Sequence, residues 1–214
     1  MKGVIFDLDG VLVSTDELHF QAWKRLADEL GITTFTRADN VRQRGVSRMA
    51  SLEIVLEKSN QQFSEEEKVK LADRKNGYYV DMLNDLDETA LLPGATETLE
   101  MLHKEGILTA VGSASKNAPL ILEKTGLLPL IDKISCGLDV TKSKPDPEVF
   151  LVAAKKLELS PEDCLVVEDA AAGVEAAKNG GMKSLGVGPH HAELGADYDS
   201  ENLATVNQWR EILW

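Results

Sequence analysis

Two pairs of carboxylates, each placed where a short apolar run stops, are the side chains best suited to chemistry in this sequence. Gly3-Val4-Ile5-Phe6 leads into Asp7-Leu8-Asp9-Gly10, and Leu165-Val166-Val167 leads into Glu168-Asp169. Buried strands that end in acids deliver them to the carboxyl edge of a sheet, where open α/β folds bind ligands. Gly10 lets the chain curl so that Asp9 swings over Asp7. Four converging carboxylates repel one another and demand a divalent cation, and hard oxygen donors favour Mg2+. The expected metal ligands are Asp7, Asp9, Glu168 and Asp169. A calcium loop would need Gly at its sixth position and Glu at its twelfth, where Leu12 and Leu18 stand, so that reading fails. Two others stay open: an Asp-x-Asp pair also holds a metal in nucleotide-sugar transferases, and Glu168-Asp169 would serve as the opening of a helix.

Two further loops supply what a phosphate needs beside acids. Gly112-Ser113-Ala114-Ser115-Lys116-Asn117 offers hydroxyls, backbone N–H groups and a cation just before a helix start marked by Asn117 and Pro119. Lys144-Pro145-Asp146-Pro147 presents a lysine on a stretch stiffened by prolines, with Pro147 suited to a first helical turn. Carboxylate, metal, lysine and hydroxyl together point to phosphoryl transfer through an aspartyl phosphate. In that reading Asp7 attacks phosphorus and Lys144 neutralises developing charge beside Ser113. Asp9 serves as general acid and base, help worth about 10²–10⁴-fold. No GxxxxGK[ST], GxGxxG, GxSxG or HExxH pattern is present, which leaves a P-loop kinase, a dinucleotide oxidoreductase, a serine hydrolase and a zinc protease without support.

The elements that must position these residues alternate along the chain. Short β-branched runs at 3–6, 107–112, 133–136, 164–167 and 183–187 are separated by helix-period stretches, the pattern of a parallel α/β sheet. Between about Asp16 and Glu88 no strand pattern occurs. Phe20, Trp23, Leu26, Ala27 and Leu30 instead fall at helical spacing. The expected organisation is a three-layer, Rossmann-like core of residues 1–14 plus 92–214, carrying an inserted helical cap of residues 15–91. A module joined through two stretches of chain beside the first strand is able to rotate as a lid. Its 214 residues, 43% of them hydrophobic, suffice for such a core, while a formal charge of −13 disfavours nucleic acid and anionic membranes as partners. Cys136 and Cys164 lack metal or redox spacing and read as small buried hydrophobes. The N-terminus meets an acid too early for a secretory signal, and no run is apolar enough to span a bilayer, so a cytoplasmic protein is expected.

Asp7-x-Asp9-Gly10, Ser113, Lys144 and Glu168-Asp169, in that order, resemble the four motifs of the haloacid-dehalogenase-like phosphotransferases, over nearly the whole chain. The inserted stretch resembles the cap of the β-phosphoglucomutase family. It carries Thr15-Asp16-x-x-His19-Phe20-x-Ala22-Trp23, then Gly45-Val46-Ser47-Arg48, then Arg74-Lys75-Asn76. The resemblance implies a first strand lying between the Ser113 and Glu168 strands, and a monomer acting on a small sugar phosphate. The implied reaction isomerises β-glucose 1-phosphate to glucose 6-phosphate through a bound 1,6-bisphosphate. It implies that Arg48, Ser115, Lys116 and Asn117 hold the distal phosphate, and that Thr15, His19 and Lys75 couple Asp9 to cap movement. Trp23, Arg44, Val46, Ser47, Asn76 and Ala114 would line the substrate site with Gly45. Arg44 departs from the pattern, since lysine is expected there; charge is kept but geometry differs. A sugar-phosphate phosphatase and a non-catalytic phosphosugar-binding protein are the competing readings.

Overall fold

A computed structural model describes residues 1–44 and 46–214, so Gly45, one of the expected substrate-site residues, lies outside the described residues. The apolar runs form β1 (Gly3–Phe6), β2 (Leu108–Gly112), β3 (Lys133–Ser135), β4 (Cys164–Glu168) and β5 (Lys183–Gly186), joined by a two-residue strand β6 (Tyr198–Asp199). All pairings are parallel, in the order β3-β2-β1-β4-β5-β6. As expected, β1 lies between β2 and β4. Phe6 is level with Val111 and with Val167, so Asp7, Gly112-Ser113 and Glu168 leave the sheet side by side.

The alternation of the strands divides the core between two faces. Val4, Phe6, Leu165 and Val167 point to one face and pack under α5 (Ala95–Lys104), α6 (Ala118–Lys124) and α9 (Trp209–Leu213). Ile5, Cys164 and Val166 point to the other, against α7 (Glu148–Lys156) and α8 (Ala171–Asn179). Each fully buried apolar side chain of this kind contributes roughly 1.5–3 kcal/mol, and the result is a three-layer α/β sandwich. Cys136 and Cys164 are buried and unbridged, as their spacing indicated.

Four α-helices lie between β1 and α5, the helix that leads back to the sheet: α1 (Asp16–Glu29), α2 (Arg37–Val41), α3 (Arg48–Leu56) and α4 (Glu65–Leu83). They enclose an apolar cluster of their own, with Trp23, Leu26, Phe35, Leu52, Val55 and Leu71 among its members. Ala22, Tyr79 and Leu83 join the core cluster instead, which seats one end of α1 and α4 on the sheet layer. The two connecting stretches run together, with Val13 bridged to Leu91, Ser14 N–H donating to Ala90 at 2.8 Å and Leu92 N–H to Leu12 at 3.0 Å. Among the described residues no helix is long and apolar enough to cross a membrane.

Candidate active site

Lys144 ties the two acidic strand ends together. Its Nζ donates to Asp7 Oδ1 at 2.6 Å and to Glu168 Oε2 at 2.7 Å, and all three side chains are buried. Burial alone would push the lysine pKa down, but the two carboxylates outweigh it and hold the group above its ordinary value, so it stays an ammonium. Burial pushes Glu168 up, and its Oε1 accepts from the N–H groups of Asp169 and Ala170 at 3.2 and 3.1 Å. Glycine explains why the carboxylate fits there. A Cβ at Gly173, in the first turn of α8, would come within 2.1 Å of Glu168 Cδ.

Asp7, Glu168 and Asp169 each offer a carboxylate oxygen within 4.8 Å of the others. Burial first, then the Asp7 charge, raise Asp169 to about 7. Buried, hard oxygen donors whose mutual repulsion raises their proton affinity are the donor set a hard divalent cation stabilises. Gly10 has φ +84°, and a Cβ on it would meet Asp169 Oδ2 at 2.1 Å, so the turn and the acid can coexist only with glycine. Asp9, expected as a fourth carboxylate ligand, stands outside this group. Its carboxylate instead accepts a hydrogen bond from the Thr15 hydroxyl, and burial raises it to about 7.

Behind Asp9 the helices stack their own polar groups. His19 lies on the Tyr79 ring with centroids 4.0 Å apart, and Lys75 Nζ sits 2.9 Å from His19 Nδ1. Burial keeps His19 well below its usual value and hence neutral, so Nδ1 is the acceptor for the lysine. Burial, with Arg48 nearby, lowers Lys75 to about 7, and its Nζ lies 4.6 Å from the centre of the Trp23 ring. Arg44, with Asn40, engages Asp16 at the start of α1, at 3.2 and 2.9 Å respectively.

A single cavity of about 510 Å³ gathers most of these groups. Asp7, Asp9, Asp169, Ser113 and Lys144 line one part. Helices α1, α3 and α4 supply His19, Trp23, Arg48, Lys75 and Asn76, the connection between α2 and α3 supplies Arg44, Val46 and Ser47, and Ala114 to Asn117 close the wall. Asn117 Nδ2 donates to Asn76 Oδ1 at 2.9 Å, a direct link between the sheet layer and the helices. Among the described residues Arg48 makes only a loose ion pair with Asp73 at 3.6 Å, which suits its guanidinium to holding an anion. Of the expected residues, Thr15 acts through Asp9, and Glu168 through Lys144 and the acidic group. Asp16, Asn40, Gln43 and Ser51 line the cavity and were not anticipated. Asp16 stands in the motif that carries the family resemblance but was assigned no role there, and the other three follow no periodic or motif signal.

Residues 1–181 match the family described as haloacid dehalogenase-like hydrolase. The chain belongs to that family. Within it, the chain is 42% identical over 199 residues to β-phosphoglucomutase of Bacillus subtilis, covering 92% of this chain and 88% of the relative. It is 31% identical over 188 residues to a phosphorylated carbohydrates phosphatase of Thermotoga maritima, covering 86% and 84%. The solved β-phosphoglucomutase of Clostridium difficile superposes with a TM-score of 0.92 at 36% identity, covering 99% of this chain and 95% of that one. The haloacid dehalogenase-like core and its helical insertion are thus shared along nearly the full length.

Proposed function

We propose that this enzyme isomerises β-glucose 1-phosphate to glucose 6-phosphate by way of an aspartyl phosphate on Asp7 and a bound β-glucose 1,6-bisphosphate. What carries the reading is that one cavity holds both the Asp7–Lys144 site and a separate set of cationic and amide donors, Arg48, Lys116 and Asn117. A bisphosphate needs two anion sites at once, whereas hydrolysis of a monophosphate needs one.

In the forward half-reaction a carboxylate oxygen of Asp7 forms a bond to phosphorus as the bond from phosphorus to the donor sugar oxygen breaks. Protonated Asp9 gives its proton to that departing oxygen. In the return step Asp9 takes the proton from the 6-hydroxyl of β-glucose 1-phosphate as that oxygen attacks the phosphoryl group and releases Asp7, which forms the 1,6-bisphosphate; the bisphosphate in turn is the donor of the forward step through its 1-phosphate, and glucose 6-phosphate leaves. Lys144 offsets charge on the transferring group throughout, and Ser113 donates to it. Magnesium, held by Asp7, Glu168 and Asp169, would supply further neutralisation of the phosphoryl oxygens when bound. A pKa near 7 suits Asp9 to both proton transfers.

Residues 15–91 act in this proposal as a cap on a core of 1–14 plus 92–214, hinged where Val13 meets Leu91. Thr15, His19 and Lys75 release Asp9 toward the substrate when a sugar phosphate draws the cap shut, which keeps water from serving as acceptor. Phosphorylated hexoses are retained in the cell by their charge, so the proposed compartment is the cytoplasm, and the cavity's completeness within one chain supports a monomer. The test is product analysis with β-glucose 1-phosphate, magnesium and trace bisphosphate. Glucose 6-phosphate is expected; free phosphate in its place would favour a phosphatase of the kind named among the relatives.

A further inference from the structure

Just beyond β3 the chain makes a turn that is tied at both ends. Asp139 N–H donates to the Cys136 carbonyl at 2.8 Å, and Cys136 N–H donates to the Asp139 carboxylate at 2.9 Å. Lys156 Nζ, from α7, reaches the same carboxylate at 2.7 Å and the Ile134 carbonyl at 2.6 Å. Gly137 is the second residue of this turn and lines the cavity beside Ser115, Lys116 and Asn117. Its φ lies outside the left-handed region, so the backbone alone would admit any residue. Contact is what excludes a side chain. Gly137 N–H donates to the Ser115 carbonyl at 3.3 Å, and a Cβ on Gly137 would stand 2.4 Å from the Ala114 carbonyl oxygen and 3.2 Å from the Lys116 nitrogen.

Two successive carbonyl oxygens of the loop after β2 are thus taken up against Gly137. A fully ionised phosphate offers only acceptors, so a carbonyl oxygen turned toward it repels it, and a loop that is to hold one must place its carbonyls elsewhere. With the Ala114 and Ser115 carbonyls set aside, the residues that carry donor side chains, Ser115, Lys116 and Asn117, form the cavity wall. Ser113 is anchored separately, its N–H on the Ser135 carbonyl at 3.0 Å. We propose that Gly137 is a positioning residue: by admitting the Ala114 and Ser115 carbonyls it aims the donors that follow at the distal phosphate of the bound sugar, and it takes no part in transfer to Asp7. The proposal rests on the bisphosphate reading above and deepens it.

The test compares Gly137→Ala with wild type on two substrates in the presence of magnesium. β-Glucose 1-phosphate with trace bisphosphate needs both anion sites, whereas acetyl phosphate needs only the one at Asp7. Transfer from the sugar is scored as isomerised sugar plus free phosphate, so a wild type that merely hydrolyses counts against the proposed reaction and leaves the comparison at Gly137 intact. Opening the 2.4 Å contact to an ordinary one of 3.4 Å moves the loop by about 1 Å. A misplacement of that size costs up to about 10²-fold, so Gly137→Ala should lose roughly ten- to a hundred-fold in kcat/KM on the sugar and keep its rate on acetyl phosphate. Asp139→Ala loosens the turn from Cys136 and Lys156 without introducing an overlap; it should shift the two rates in the same pattern by a smaller factor, and it supplies the comparison if Gly137→Ala does not fold. Equal losses on both substrates would assign the turn to general folding and overturn the proposal, as would wild-type kinetics on the sugar in either variant.

Discussion

Lys144 carries more electrostatic responsibility than any other side chain, because it faces two buried carboxylates with almost no access to water. Removing one partner of such a set strands the others, a loss of about 3–5 kcal/mol. Lys144→Met should therefore unfold at markedly lower urea and show no turnover; a variant with wild-type stability would mean that Asp7 and Glu168 find compensation elsewhere. Arg48 should behave differently. Arg48→Ala is expected to impair isomerisation far more than hydrolysis of a small phosphoryl donor, and equal loss of both would remove Arg48 from the distal phosphate. The residues that were legible in the sequence stand at strand ends, where an apolar run stops at an acid or a lysine lies between prolines. Gln43 and Asn40 were not, because they reach the cavity from the turn after α2 and from α2 itself, whose direction depends on how α2 and α3 dock. Asp9 was expected over Asp7 as a fourth metal ligand, but its carboxylate accepts from Thr15 instead, a residue whose tie to Asp9 the family resemblance implied.

Among the elements, glycines set how closely helix and strand approach. In an exposed helix Gly→Ala gains up to about 1 kcal/mol, yet Gly173→Ala should destabilise, because its methyl would overlap Glu168 and push the carboxylate off Lys144. The thermal midpoint reads this directly: a rise would show that α8 can shift away from β4 without cost. The strands β1 and β4 could be read from sequence since burial on both faces leaves uninterrupted apolar runs. β6 could not, since one half-buried and one exposed residue carry no period, and the five residues of α2 are too few to show a helical one. The helix after Asp169 begins at Ala171, past the acids, and Glu168 accepts from the Asp169 and Ala170 N–H groups just ahead of it without belonging to it.

At the scale of the molecule, acidity is concentrated where the cation would sit. Asp169 has a folded value of about 7 against 3.8 for the free side chain, and burial raises its neighbour Glu168 as well. Raised values mean that the contribution of Asp169 to stability is complete below about 3.8 and is lost as pH climbs through about 7. A bound divalent cation relieves that loss. Magnesium should accordingly raise the melting temperature at about pH 8 and do much less at about pH 5, with a chelator reversing the gain; an equal increment at both would place the ion away from these carboxylates.

The account as a whole turns on a covalent bond to Asp7. Enzyme turning over β-glucose 1-phosphate with magnesium should be quenched, treated with borohydride to reduce any acyl phosphate, digested and sequenced by mass. The prediction is reduction at Asp7 in the wild type, absent from Asp7→Asn, which should also be inactive. Steady product formation with Asp7 recovered unmodified, or turnover by Asp7→Asn, would contradict it.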